Sequence, residues 1–218
     1  PTWDLNLGLR YDDFHVSNKT DKNHSRFWNY QAGIVYKPAK NGSIYLTYNT
    51  SSNPAGETAA QSGGADGAGA AGTIRDLQPE KNRSLELGTK WALFDEQLEL
   101  TAAVFRTEKT NARSQDPLTG DVTLSGNTRV TGFELGANGN ITEDWRVWSG
   151  YTYMNPKIKK YRSGGEDFDG NQMKFIAKKS FSAWTSYDIT EQWTVGAGAN
   201  YMGSRYLNDA NTVKFDPY

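Results

Sequence analysis

Few residues in this chain could do chemistry. The 218 residues contain no cysteine, which removes disulfides, thiolate nucleophiles and thiolate metal sites and leaves the redox compartment open. The two histidines, His15 and His24, fall at a strand end and in a loop; they read as surface residues, and no metal site is expected. Gly67-x-Gly69-x-x-Gly72 matches by letters the fingerprint that cradles a dinucleotide pyrophosphate. It sits in an Ala/Gly-rich tract without the strand–turn–helix that this chemistry needs, so an outer loop is expected instead. Glu166, Asp167, Asp169 and Asn171 are spaced like oxygen ligands of a calcium loop. Gln172 stands where such a loop needs glycine and Lys178 where it needs a bidentate glutamate, so a solvated acidic loop is expected. With no nucleophile–base pair and no convincing nucleotide motif, no catalytic residue and no cofactor is expected, and the chain reads as a non-enzyme.

Lys plus Arg total 24 and Asp plus Glu 25, a balance that gives nucleic acid no electrostatic footing. No apolar run reaches the length of a transmembrane helix. The polar average does not exclude a membrane, because a spanning β-strand shows only every second residue to lipid. The chain starts at Pro1 without a basic or apolar leader, and an internal fragment is the favoured expectation.

What must position these residues is β-structure throughout. In Trp3–Val16, one face carries Trp3, Leu5, Leu7, Leu9 and Tyr11, and the other Asp4, Asn6, Gly8, Arg10 and Asp12. A period of two with one apolar face is the strand signature. It returns in Trp28–Lys37, Trp145–Met154 and Trp193–Met202. Each of these four strands has an aromatic at both ends of its apolar face, eight residues apart: Trp3 and Tyr11, Trp28 and Tyr36, Trp145 and Tyr153, Trp193 and Tyr201. Eight residues rise about 26 Å. Tilted roughly 40°, that is about 20 Å of height, close to the ~25 Å apolar band of an outer-membrane barrel. Trp and Tyr suit the rims of that band, since an apolar ring carries a polar tip. With Trp91 they form the expected membrane girdle, the reverse face lining a lumen. A soluble β-sandwich shows the same alternation. It would carry bulky aliphatics at mid-strand, however, and the Trp193 strand has only Val195, Ala197 and Ala199 there.

The connections alternate in length. Ser17–Phe27, Ser51–Pro79, Thr110–Asn127 and Asn155–Lys178 are long, and another polar stretch begins at Leu207. Pro38–Gly42, Leu93–Gln97, Gly139–Asp144 and Asp188–Gln192 are short. This places every long loop at one end, as in outer-membrane barrels. Ser43–Thr50, Ser84–Ala92, Leu98–Glu108, Val130–Gly139 and Ser180–Tyr187 complete nine expected strands. Bacterial single-chain barrels have even strand counts and must close, so strands at both ends are expected to lie outside this sequence.

Leu77-Gln78-Pro79-Glu80-Lys81-Asn82-Arg83-Ser84-Leu85-Glu86-Leu87-Gly88-Thr89-Lys90-Trp91 resembles the L-x-P-E-x-…-E-x-G-x-K segment of TonB-dependent receptors. Physically it is the return from a long loop into a strand, with Glu86, Gly88 and Lys90 on one face and Leu85, Leu87 and Trp91 on the other. Leu100–Thr107, Arg129–Leu135, Gly139–Thr142, Gly150–Tyr153 and Val195–Ser204 continue the series, which is most similar to the catecholate siderophore receptors of that family. The resemblance covers nearly the whole chain. It implies that residues 1–218 are part of the β-barrel domain of an all-β, antiparallel transmembrane barrel, about nine strands of 22, without its plug. It implies TonB-energised uptake of a ferric siderophore at the bacterial outer membrane, with outer-membrane lipid around the wall. TonB would be contacted through N-terminal regions not present here; a passive porin-like barrel is the alternative. A ferric catecholate is anionic and aromatic, so Arg and Lys would attract it and rings would stack on it. Arg26, Trp28, Arg75, Arg113, Arg129, Arg205 and Tyr206 have that chemistry at the outer end, with ordinary loop charge and rim aromatics as the alternative.

Overall fold

The structure is a computed structural model that describes residues 2–17, 22–54, 78–115, 122–124, 126–163 and 165–218. Nine long strands make one antiparallel sheet: β1 (Trp3–Ser17), β2 (Lys22–Ala39), β3 (Gly42–Asn53), β4 (Glu80–Leu93), β5 (Leu98–Thr110), β8 (Asn127–Asn140), β9 (Trp145–Lys160), β12 (Lys179–Thr190) and β13 (Trp193–Met202). Each pairs with the next along the chain, an up-and-down meander. Short hairpins fill the loops between them: β6 (Arg113–Gln115) with β7 (Val122–Leu124), and β10 (Arg162–Ser163) with β11 (Glu166–Asp167). Beyond β13, β14 (Arg205–Tyr206) pairs with β15 (Lys214–Phe215).

Register carries one face across the sheet. Leu5, Ile34, Leu46, Leu87, Val104, Phe133 and Tyr153 are successive cross-strand partners on seven adjoining strands. A one-residue slip anywhere would move this row to the other face. The row is uncovered: Leu5 is 71% exposed, Val104 53% and Leu87 48%. A sandwich would bury such a face under a second sheet, and no second layer covers it among the described residues. Water-soluble surfaces rarely expose apolar patches beyond a few hundred Å². Hydrocarbon is the solvent that suits this one.

The strands run 10 to 18 residues, longer than the ~9–11 that cross a bilayer. The excess lies at the long-loop end. Residues 22–27, expected in a loop, continue β2, and β9 runs on through 155–160. Above the apolar band the outward face turns polar, with Lys22, His24 and Arg26 on β2 and Asn155, Lys157 and Lys159 on β9, so the ladder persists where its sequence signal stops. The β1–β2 ladder runs unbroken from Trp3↔Tyr36 to Ser17↔Lys22. The β2–β3 ladder stops at Gln31↔Asn49. There the Thr50 hydroxyl takes over, accepting from the Tyr30 amide at 2.9 Å. Most of the buried apolar side chains, Phe27, Ala112, Ile158, Tyr161 and Ala177, lie at this outer end.

Candidate functional site

The expected girdle residues share the apolar face. At the short-turn rim, Trp3 packs on Tyr36 with ring centroids 4.5 Å apart. At the other rim, Tyr11 packs on Trp28 at 4.9 Å. The indoles find partners within the wall: Trp91 Nε1 donates to Thr89 Oγ1 and Trp145 Nε1 to Thr185 Oγ1, both at 2.7 Å. Trp193 stands 71% exposed, Tyr153 packs on Phe133 at 5.6 Å, and Tyr201 is the cross-strand partner of Phe181.

The reverse face is polar and bonded across strands. Tyr45 donates to Glu86 Oε1 at 2.8 Å. Gly88 makes room for this: a Cβ there would lie 2.4 Å from the Tyr45 ring and hydroxyl. The Glu-x-Gly spacing thus seats a tyrosine from the neighbouring strand against the glutamate. Arg146 bonds both Asp188 oxygens at 2.6 and 2.7 Å, and Thr194 donates to the same carboxylate. Two tryptophans interrupt this polarity. Trp148 and Trp184 are cross-strand partners on the polar face, 53% and 55% exposed. Trp184 lies over a glycine floor, where a Cβ on Gly196 or Gly198 would come within 2.8 or 2.6 Å of its ring.

The outer end gathers charge and rings. Glu108 lies four pairs above the apolar row, on the same side of the wall, and meets Arg83 at 3.3 Å, Arg129 at 2.6 Å and Arg106. The Arg129 charge is therefore already engaged. Where β2 and β3 part, Arg26, Trp28, Tyr30, Tyr48, Lys81 and Arg83 line an opening of about 530 Å³. Near β14, Lys178, Lys179, Lys214, Tyr201 and Tyr206 line a second, of about 350 Å³. Arg205 sits over the Phe215 and Tyr218 rings at 5.2 and 5.7 Å, and its Nη1 is buried with no hydrogen-bond partner among the described residues. The Tyr206 carbonyl accepts from the Phe175 amide at 2.7 Å. Of the seven ligand candidates, Arg26 and Trp28 thus share one opening, while Tyr206 lines the other and Arg205, next to it in sequence, packs on the Phe215 and Tyr218 rings. Arg129 is held in the ion cluster. Arg75 lies outside the described residues, as does the Gly63–Gly72 tract, and of Arg113 only the β6 backbone is described.

The acidic loop makes internal bonds. The Asp169 amide donates to Asp167 Oδ1 at 2.9 Å and Arg162 Nε to Asp167 Oδ2 at 3.0 Å, which together hold the Asp167 carboxyl below its ordinary range. Asp169 Oδ1 in turn accepts from the Tyr161 amide at 2.7 Å. Sequence reasoning missed the Arg83–Glu108–Arg129 row, the paired tryptophans and the lysines around Tyr206. The first two follow only from register.

The comparisons with known proteins agree with this architecture. The model of the TonB dependent receptor-like β-barrel family matches residues 1–218. The chain is 42% identical over 231 residues to the probable TonB-dependent siderophore receptor PiuA of Acinetobacter baumannii, covering 97% of this chain and 31% of that protein. It is 36% identical over 188 residues to the catecholate siderophore receptor Fiu of Escherichia coli K12, covering 85% of this chain and 24% of that protein. The crystal structure of the A. baumannii siderophore receptor PiuA superposes with a TM-score of 0.83 at 39% identity, covering all of this chain and 33% of that one. The chain spans about a third or less of the relatives it matches. Members of the matched family are bacterial outer-membrane proteins, the setting that the uncovered apolar face requires. From its sheet, its faces and its match over the full length, the chain belongs to the TonB-dependent receptor β-barrel family.

Proposed function

We propose that this chain is wall and outer rim of a receptor that takes up ferric siderophores of the catecholate class, energised through TonB by regions outside this sequence. The observation that carries the reading is an uncovered apolar face that register carries across seven adjoining strands, crowned at one end by cations and aromatic rings. Its support from relatives is the 36% identity to a catecholate siderophore receptor. A ferric catecholate presents negative charge on flat aromatic rings. Guanidinium and ammonium groups steer and pair with the charge, and aromatic faces stack on the rings. The opening at Arg26, Trp28, Tyr30, Tyr48 and Arg83 offers both chemistries, as does the one bounded by Lys178, Lys179, Lys214 and Tyr206. Arg75, between β3 and β4 in the sequence, and Arg113, the first residue of β6, belong to the same reading.

Growth on a ferric catecholate as sole iron source, with and without the gene, tests the function, together with binding of the ferric complex to the purified receptor. Arg26→Ala with Trp28→Ala and Arg205→Ala with Tyr206→Ala should each weaken binding at least tenfold. Growth unchanged by the gene's absence, together with no binding, would overturn the siderophore reading. Binding untouched by either pair would move the ligand surface elsewhere.

A further inference from the structure

We propose that Asp13, His15 and His24 form a divalent transition-metal site on the outward face of the β1–β2 hairpin, just above the Tyr11–Trp28 rim. It would take Zn²⁺, Ni²⁺ or Cu²⁺ through two imidazole nitrogens and one carboxylate oxygen. Register assembles it: His15 and His24 are direct cross-strand partners, and Asp13, two residues before His15, shares their face. The imidazoles stack with centroids 3.6 Å apart. Asp13 Oδ1 lies 3.2 Å from His15 Nδ1 and 2.6 Å from His24 Nε2. The three donor atoms all fall within 4.8 Å of one another. Donors bound tetrahedrally at about 2.0–2.1 Å stand about 3.4 Å apart, so small rotations of exposed side chains bring all three into range. Imidazole with carboxylate suits these metals rather than calcium or magnesium.

Hydrogen bonding alone leaves this cluster in conflict. His24 Nε2 is 2.6 Å from Asp13 Oδ1 and also 3.0 Å from Arg26 Nε. The first contact needs a proton on that nitrogen; the second needs its lone pair. Protonating both rings would stack two imidazolium cations beside a guanidinium. A metal ion on His15 Nδ1, His24 Nε2 and Asp13 Oδ1 uses the lone pairs and removes the contradiction. Arg26 Nε then keeps Asp13 Oδ2, 3.1 Å away, and orients the carboxylate from behind. Arg26 also competes with the metal for that carboxylate. Lys22, two pairs beyond the histidines, is the other cation on this face of the hairpin among the described residues; Arg10 and Asp12 point to the opposite face. Three protein ligands leave a coordination position open to water or to an outside donor.

The test uses the full-length receptor purified in detergent, titrated calorimetrically with Zn²⁺ alone, and loaded with Cu²⁺ for electron paramagnetic resonance. His15→Ala and His24→Ala should each weaken Zn²⁺ binding at least tenfold and remove one imidazole nitrogen from the Cu²⁺ spectrum. Arg26→Gln should bind Zn²⁺ as tightly as the parent or about threefold tighter. Zn²⁺ affinity unchanged in the His15→Ala, His24→Ala double variant would overturn the site. So would loss of binding in Arg26→Gln, which would mean that ion pairing alone organises the cluster.

Discussion

Replacing Leu7 by arginine tests the lipid face most directly. Leu7 lies four residues from Trp3 and four from Tyr11, and its side chain is 69% exposed. At about 3.3 Å per residue and roughly 40° of tilt, each rim is about 10 Å away, which puts Leu7 near mid-height. A cation at that depth on a barrel's lipid face costs ~2–4 kcal/mol. Asn6 is the control: adjacent in sequence and height, it points the other way and accepts from Gln31 Nε2 at 3.3 Å. Asn6→Arg loses that bond, about 0.5–1.5 kcal/mol, and keeps its charge in water. Leu7→Arg should therefore be the more destabilising, by about 2 kcal/mol between the middles of the two ranges and by at least ~0.5 kcal/mol. Urea unfolding of the full-length receptor in phospholipid vesicles, followed by tryptophan fluorescence and heat-modifiable gel migration, gives both values. Equal losses, or a larger loss for Asn6→Arg, would refute the assignment of faces.

Gly88→Ala drives the Tyr45 ring off Glu86 and should cost about 1–3 kcal/mol in the same unfolding assay; adding Tyr45→Ala should cancel part of that cost, a coupling that a double-mutant cycle reads. Glu108→Gln leaves Arg83, Arg106 and Arg129 facing one another and should cost about 1–3 kcal/mol, with Arg129→Gln in that background recovering some of it. Asp167 sets a pH response of its loop. Because the Asp169 amide and Arg162 hold its folded pKa below the ordinary carboxylate value, the ordering it contributes is complete above that ordinary value. It is lost as pH falls through the lower folded one. Hydrogen exchange at the Asp169 amide should speed up over that acid range, and Asp167→Asn should abolish the step.

Strands bounded by aromatics were legible because two signals coincide there, alternation and ring spacing; Trp3–Tyr11 and Trp193–Tyr201 needed no structure. The outer halves of β2 and β9 were not. Past Trp28, residues 22–27 carry no apolar face, and a reading built on apolar periodicity hands them to a loop. That error also hid the histidines. His15 meets His24 only if β1 and β2 continue as a ladder to Ser17↔Lys22. Glu108 is likewise flanked by Arg83 and Arg129 only through register, since 25 and 21 residues separate them along the chain. Trp148 and Trp184 broke the expected polar face because bulk was balanced across strands: the glycines at 196 and 198 vacate the volume the indole fills.

The unequal ladders of β2 have a mechanical consequence. Its outer half is laced to β1 as far as Ser17↔Lys22, but toward β3 its hold above Gln31 among the described residues is local, through the Thr50 hydroxyl and the Ser52–Asn29 bond at 3.0 Å. Such a hairpin behaves as a cantilever rooted at the membrane surface. Force applied near Ser17 and Lys22 would bend it about the root formed by Tyr11, Trp28 and Gln31, and the load would reach the sheet at the height where the barrel's own stiffness begins.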